Sequence, residues 1–302
     1  MNTKQFKYVQ VLAREGSFSL AAEQLQISQP SLSQYVRKIE KEIGIALFDR
    51  AGSRVRLTDA GYIYLEAAGK ILDLEQQMEK QFSDLAEHSC GKIVVGISPH
   101  RSIWFMPQIV AKFRQQYPDV QIILEEKVGH ELLDGARDGA FDLCVTTLPV
   151  NENLFEYEYL MKEEIVLAVS VRSKVYHTLE AAVQGKMHPV IPVQMLDGMD
   201  FVMLGSTQLM QQTTERICDK YRIAFRKVVE CRSIESQMAM VGAAVGMALV
   251  PSSIARFSSD KSIKFYSLDL GAEDREVAVI YRRGQYLSKS IKRLIDLMKH
   301  TH

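Results

Sequence analysis

Residues 3–44 are punctuated in a way that few folds accept. Phe6, Val9 and Leu12, with Val11 and Ala13 beside them, recur at helical spacing over residues 3–14 and stop at Gly16. Ser17 or Ser19 can cap a second helix, whose predicted buried stripe is Leu20, Ala21, Ala22 and Leu25. Ile27-Ser28 leaves room only for a short turn before a third helix. Ser28 is placed to cap it, and Pro30 sits in the first turn, where a missing N–H costs nothing. Leu32, Val36, Ile39 and Ile43 form the apolar face, and Gly44 ends the helix. Two helices joined this tightly make a helix-turn-helix.

Opposite the apolar face of the third helix lie Gln29, Pro30, Ser31, Ser33, Gln34, Arg37, Lys38 and Lys41. Amides and hydroxyls at its start are the groups that read donor and acceptor patterns in a DNA major groove. The cations behind them suit phosphates. Most polar helix faces are merely solvated. Here the run from Gln29 to Lys38 holds no carboxylate, which favours a polyanion. Past a Gly52-Ser53 turn, Arg54-Val55-Arg56-Leu57 alternates like a small β-wing, so Arg50, Arg54 and Arg56 are expected to reach the duplex backbone. Within residues 1–60, nine Lys and Arg stand against six Asp and Glu, in a chain balanced at 37 and 37. A local basic face is what DNA binding requires.

This segment resembles the LysR-type transcriptional regulators. The resemblance lies in Gly16 to Leu25, Ser28-Gln29-Pro30-Ser31-Leu32-Ser33, Ile39-Glu40, Gly44, Leu47-Phe48-Asp49-Arg50 and Leu57-Thr58-Asp59-Ala60-Gly61, in order and without gaps. It implies base contacts from Gln29, Pro30, Ser33 and the following residue, where this chain has Gln34 in place of the frequent arginine. It also implies dimerisation through a long linker helix and a two-lobed effector-binding domain, similar to periplasmic solute-binding proteins.

From Thr58 to about His88 no proline interrupts a helical pattern. Tyr64, Ala68, Ile71, Glu75, Met78, Phe82 and Leu85 step by four and three, a heptad seam interrupted at Glu75. Pairing of two such helices would present two recognition helices to one face of DNA. A homodimer is expected, and a tetramer by association of two. The expected division is a winged helix-turn-helix over 1–60, a linker over 61–89 and a regulatory domain over 90–302. One lobe is expected at about 90–162 and 268–302, the other at about 163–267.

Beyond Gly91, short apolar runs alternate with helical segments. Strands are expected at Ile93–Ile97, Val120–Leu124, Leu143–Thr146, Ile165–Val169, Phe201–Leu204, Arg226–Val229, Met247–Val250 and Val277–Tyr281. Helices are expected at Met106–Tyr117, Glu131–Asp138, Thr207–Tyr221, Ile234–Ala244 and Ile291–Met298. The alternation argues an α/β domain of mostly parallel sheets in two halves with a cleft between them. Ligands of such sheets bind beyond the carboxyl ends of strands. Ser98, Pro99, His100 and Arg101 occupy such a position, as do Thr146 and Thr147, then Gly205, Ser206 and Thr207, and finally Gly246. Hydroxyls near Arg101 suit a small anion such as a carboxylate, although Ser98, Ser206 and Thr207 would serve equally as plain helix caps.

Other functions find little support. No stretch approaches a membrane span, and the start lacks the apolar core of a secretory signal, so a cytoplasmic protein is expected. Four cysteines without a C-x-x-C pair and seven histidines without ligand spacing argue against a metal or cofactor. Phosphate-binding loops, G-x-S-x-G and paired acids are missing, and Ser98 with His100 has no third partner, which argues against an enzyme. Cys218 and Cys231 leave a thiol switch as the alternative to a ligand. The partners expected are double-stranded DNA, a small effector, a second copy of the chain, and RNA polymerase if the protein activates.

Overall fold

The computed structural model describes residues 3–50, 55–85, 91–183, 190–258, 260–271 and 275–300. The chain divides into two compact units, Met1–His88 and Ser89–His302.

In the first unit, α1 (Thr3–Glu15), α2 (Phe18–Gln24) and α3 (Gln29–Ile43) enclose a core of Phe6, Val9, Leu12, Ala21, Ala22, Leu32, Val36 and Ile39. Ser28 Oγ accepts the N–H of Ser31 at 3.3 Å, starting α3, and Gly44 ends it in the left-handed region at φ 81°. Leu20, expected inside, is 52% exposed. Successive helical residues point about 100° apart, so Leu20, Ala21 and Ala22 cannot share one face, and the two alanines take the core. A short antiparallel ribbon, β1 (Phe48–Asp49) and β2 (Arg56–Leu57), leads into α4 (Asp59–Leu85). Residues 51–54, with Arg54 of the expected wing, lie outside the described residues.

Thr58 docks the start of α4. Its Oγ1 accepts the N–H of Gly61 at 3.0 Å and donates to the carbonyl of Ala46 at 2.7 Å. A Cβ at Gly61 would lie 2.1 Å from the Leu47 carbonyl oxygen, so only glycine permits this approach. The heptad seam then divides. Tyr64 and Ala68 are buried in the unit's own core, whereas Ile71, Met78, Phe82 and Leu85 are exposed in the single chain.

The second unit contains two sheet-based lobes. The first lobe holds β3 (Gly91–Ile97), α5 (Pro99–Trp104), α6 (Met106–Gln116), β4 (Val120–Glu126), α7 (His130–Arg137), β5 (Leu143–Thr147) and β6 (Phe155–Glu163). The second lobe follows with β7 (Ile165–Ser170), α8 (Lys174–Val183), β8 (Val190–Ile191), β9 (Asp200–Leu204), α9 (Leu209–Tyr221) and β10 (Arg226–Cys231). It is completed by α10 (Ile234–Gly242), β11 (Ala248–Pro251), α11 (Ser252–Phe257) and β12 (Ile263–Leu268). The chain then returns to the first lobe for β13 (Arg275–Arg282) and α12 (Lys289–Lys299). The first sheet has the order β4-β3-β5-β13-β6, the second β11-β7-β12-β8, with β9 and β10 as a parallel pair. Each lobe has its own core, one around Ile97, Phe105, Phe113 and Val279, the other around Leu167, Phe201, Ile217 and Leu249.

The sheets are mixed rather than mostly parallel. β3 runs parallel to β4 and β5, but β13 is antiparallel to both β5 and β6, and β7 to both β11 and β12. A helical crossover returns a chain to the same end of its sheet and makes parallel neighbours. β13 instead arrives from the other lobe, and so enters its sheet from the opposite end. No helix among the described residues is long and apolar enough to cross a membrane.

Candidate nucleic-acid interface and interlobe pocket

On α3 the faces separate cleanly. Leu32, Val36 and Ile39 are at most 1% exposed, while Gln29, Pro30, Gln34, Arg37, Lys38 and Lys41 are exposed. Ser31 and Ser33 are half-buried, and the Ser31 hydroxyl lies 2.7 Å from that of Ser28. A rigid core therefore holds an amide-rich and then a cationic surface outward. Arg56 is exposed on β2. Arg50 has a different setting. Its Nη2 donates to Glu40 Oε2 at 2.7 Å and its guanidinium lies 5.2 Å from the Phe18 ring centre.

The second site lies between the lobes, a pocket of about 50 Å³. The first lobe contributes Ser98, Pro99, His100 and Arg101, Lys127 to Gly129, Leu132, Thr146 and Arg275. The second contributes Gln208, Leu209 and Met210 with Ser233, Ile234 and Glu235. These are the beginnings of α9 and α10, where backbone amides have no carbonyl in their own helix. Gly129 (φ 56°) is where the lobes meet, since a Cβ there would lie 2.0 Å from the Thr207 carbonyl oxygen.

Of the residues named from sequence, Ser98, Pro99, His100, Arg101 and Thr146 line this pocket. Thr147 stands next to it, its hydroxyl 3.4 Å from Arg275 Nη2. Gly205, Ser206 and Thr207 are not in the lining, because α9 begins at Leu209, two residues later than the expected start. Gly246 is also outside it and serves packing, as a Cβ there would lie 3.0 Å from the Asp200 carbonyl oxygen. Arg275 and Glu163 escaped sequence reasoning. Each is one ordinary charged residue in a mixed run, and only the pairing of β6 with β13 brings them opposite each other.

The wall is polar and under-bonded. Among the described residues Ser98 Oγ, His100 Nε2, Arg101 Nε and Thr146 Oγ1 are buried without a hydrogen-bond partner. Buried polar groups are normally bonded, so four together mark a surface able to hold a polar ligand. Behind the wall, Arg101 Nη2 donates to Glu163 Oε2 at 2.7 Å, both side chains at most 3% exposed. Burial alone would raise the Glu163 carboxyl, but the Arg101 and Arg275 guanidiniums outweigh it and hold its pKa at about 2. Burial, then Arg101, lowers His100 to about 3, leaving a neutral imidazole. Burial lowers Arg275 to about 10, so it remains a cation.

The thiols are differently placed. Burial pushes Cys144 up to about 12 and also raises Cys231. Burial raises Cys218, with Asp219 and Glu215 adding to it. A reactive cysteine needs the reverse, a thiolate favoured by nearby positive charge. Among the described residues no group of three or more His, Cys, Asp or Glu is arranged to hold a metal ion.

Comparison with known proteins agrees with both units. Residues 86–302 match the family described as the LysR substrate binding domain, and residues 3–62 match the bacterial regulatory helix-turn-helix proteins of the lysR family. The uncharacterised HTH-type transcriptional regulator YcgK of Bacillus subtilis is 25% identical, over 100% of this chain and 95% of its own length. The hydrogen peroxide-inducible genes activator of Haemophilus influenzae is 26% identical over 97% and 95%. Among solved structures, a full-length OxyR variant from Pseudomonas aeruginosa superposes with a TM-score of 0.74 at 23% identity, covering 100% of this chain and 95% of that one. Full-length CbnR in complex with its target DNA superposes with a TM-score of 0.64 at 19% identity, covering 100% of both chains. At these identities the structures speak for the fold. With the helix-turn-helix, the linker helix and the two lobes all in place, the chain belongs to the LysR family of DNA-binding transcriptional regulators, which are not enzymes.

Proposed function

We propose that the protein is a cytoplasmic regulator that reads operator DNA with α3 and is controlled by a small anion held between the lobes of its second unit. The observation that carries the DNA reading is the outward face of α3, carboxylate-free from Gln29 to Lys38 and fixed by Leu32, Val36 and Ile39 beneath it. Gln29, Pro30, Ser31, Ser33 and Gln34 are assigned to bases and Arg37, Lys38 and Arg56 to phosphates, as is Arg54, which lies outside the described residues. Ser98, His100, Arg101, Thr146 and Arg275 are assigned to the effector, two cations and three polar groups that suit a carboxylate. Thr207 meets Gly129 across the lobes, the Gly205 N–H donates to the Cys231 carbonyl at 3.1 Å and Gly246 packs against Asp200, so these three frame the site.

Exposed Ile71, Leu74, Met78, Phe82 and Leu85 on α4 support a homodimer through this helix, and two dimers would join through the regulatory domains. Effector binding would alter the angle between lobes and hence the spacing of DNA-binding pairs, changing access for RNA polymerase. Footprinting across a salt series on DNA upstream of the gene and its neighbours tests this reading. Protection of a long inverted repeat is expected, with Gln29→Ala reducing discrimination between operator and random DNA by about 1–3 kcal/mol. Equal loss on both DNAs would remove α3 from base reading.

A further inference from the structure

The buried charges around the pocket do not cancel. Arg101 and Arg275 supply two guanidiniums, 3% and 8% exposed. Among the described residues Glu163 is the one buried carboxylate beside them, and its bonds are already assigned. Oε2 accepts from Arg101 at 2.7 Å, and Oε1 accepts from Ser253 Oγ of α11 at 2.8 Å. Among the described residues Arg275 hydrogen-bonds only uncharged groups, Met210 Sδ at 3.3 Å and Thr147 Oγ1 at 3.4 Å, while the Glu163 carboxylate opposite it in the strand register attracts it through space. The imidazole of His100 is neutral. At the mouth Lys127 and Glu235 are both exposed, and farther out on α9 the exposed Arg216 donates to Thr213 Oγ1 at 3.4 Å while Glu215 accepts from Gln211 at 3.0 Å, so all four charges stand in solvent, where they are screened. The buried cluster of Arg101, Arg275 and Glu163 therefore keeps one positive charge in the wall of a cavity of about 50 Å³.

Resting on the anion-pocket reading above, we propose that Glu163 is the charge selector of this site. By cancelling one of the two guanidinium charges it leaves a pocket for one small monocarboxylate, with few atoms beyond the carboxylate, and it turns dianions away. A second negative charge would be stripped of water with no cation left to meet it, and Glu163 itself would repel it. The selector is also well placed to report occupancy. Glu163 ends the strand from which the chain first crosses between lobes, Arg275 begins the strand on which it returns, and the two are register partners in the β6–β13 pair. The Ser253 hydroxyl ties the same carboxylate to the second lobe.

Thermal unfolding of the full chain near neutral pH, at constant ionic strength, tests the selector with formate, acetate and pyruvate against oxalate, malonate and sulfate. The wild-type protein should be stabilised by monocarboxylates and show about tenfold weaker apparent affinity for the dianions. Glu163→Gln should reverse that order. The double variant Glu163→Gln with Arg101→Met restores a single positive charge and should recover the monoanion preference. Dianions binding the wild type as well as monocarboxylates do would overturn the proposal, whatever the stability of the variants. So would an unchanged order in Glu163→Gln while Arg275→Met abolishes the response to both classes. A wild type indifferent to every anion, with Arg275→Met behaving identically, would instead remove the anion pocket and the selector with it.

Discussion

Glu40 carries more of the N-terminal unit than its position on a polar helix suggests. Its Oε1 accepts the N–H groups of Leu47 and Phe48 at 3.0 and 3.2 Å, and its Oε2 takes Arg50 at 2.7 Å. The carboxylate thus fastens α3 to the strand that begins the wing. Glu40→Ala should lower the stability of this unit by about 2–3 kcal/mol, the effect of two orphaned amides and a lost ion pair, measured by urea denaturation. Arg50→Ala should leave the salt slope of DNA binding unchanged, and a slope smaller by about one would return Arg50 to the phosphates. His100 gives the second prediction at this scale. Its pKa is depressed to about 3 in the folded protein, so the unfolded chain binds the extra proton. That stability contribution is complete above about pH 6.5 and is lost as pH falls toward 3, by about 1.4 kcal/mol per unit within the window. His100→Gln should flatten the decline in denaturation midpoint over that range, and an identical decline would mean that the imidazole titrates freely. Arg101 is a poor probe of the pocket, because its loss would strand the buried Glu163 carboxylate at about 3–5 kcal/mol.

Elements marked by caps and stops as well as an apolar period were legible from sequence, and several without such punctuation were not. α3 declares itself through Ser28, Pro30, the stripe Leu32-Val36-Ile39 and Gly44, every one of which acts locally. β6 and β12 were missed as strands, and α8 as a helix. β6 alternates Tyr and Glu at the sheet edge, where period-two burial is weakest, and Tyr157 and Tyr159 remain exposed. The seam on α4 divides between two environments. Its first members, Tyr64 and Ala68, face the unit's own core, because Thr58 and Gly61 seat that turn against residues 46 and 47. The later members have no partner within the chain's own core, and Leu74, outside the predicted seam, is 65% exposed with them. Leu74→Glu together with Phe82→Glu should shift the protein toward monomer in sedimentation and weaken binding to a two-half-site operator far more than to a half-site. An unaltered sedimentation coefficient would place the dimer contact elsewhere.

At the scale of the molecule, the regulatory unit depends on how closely its lobes approach. Gly129 has a positive φ and lies against the Thr207 carbonyl, so the contact has no room for a side chain. Gly129→Val should hold the lobes apart. Stabilisation by a bound anion should fall at least tenfold while operator footprints without effector persist, and an unchanged anion response would mean that the pocket forms without this contact. Sequence alone was enough for the helix-turn-helix, the polar outer face of α3, the linker helix and the α/β character of the remainder. These follow from local signals, namely caps, stops and apolar periods that act within a few residues of where they are written. The directions of the strands, the division of the α4 seam, and the setting of Arg275 against Glu163 and Arg101 came instead from the assembled fold. Strand direction depends on which end of a sheet the chain enters, and buried charge depends on which distant residues meet there. No local period records either one.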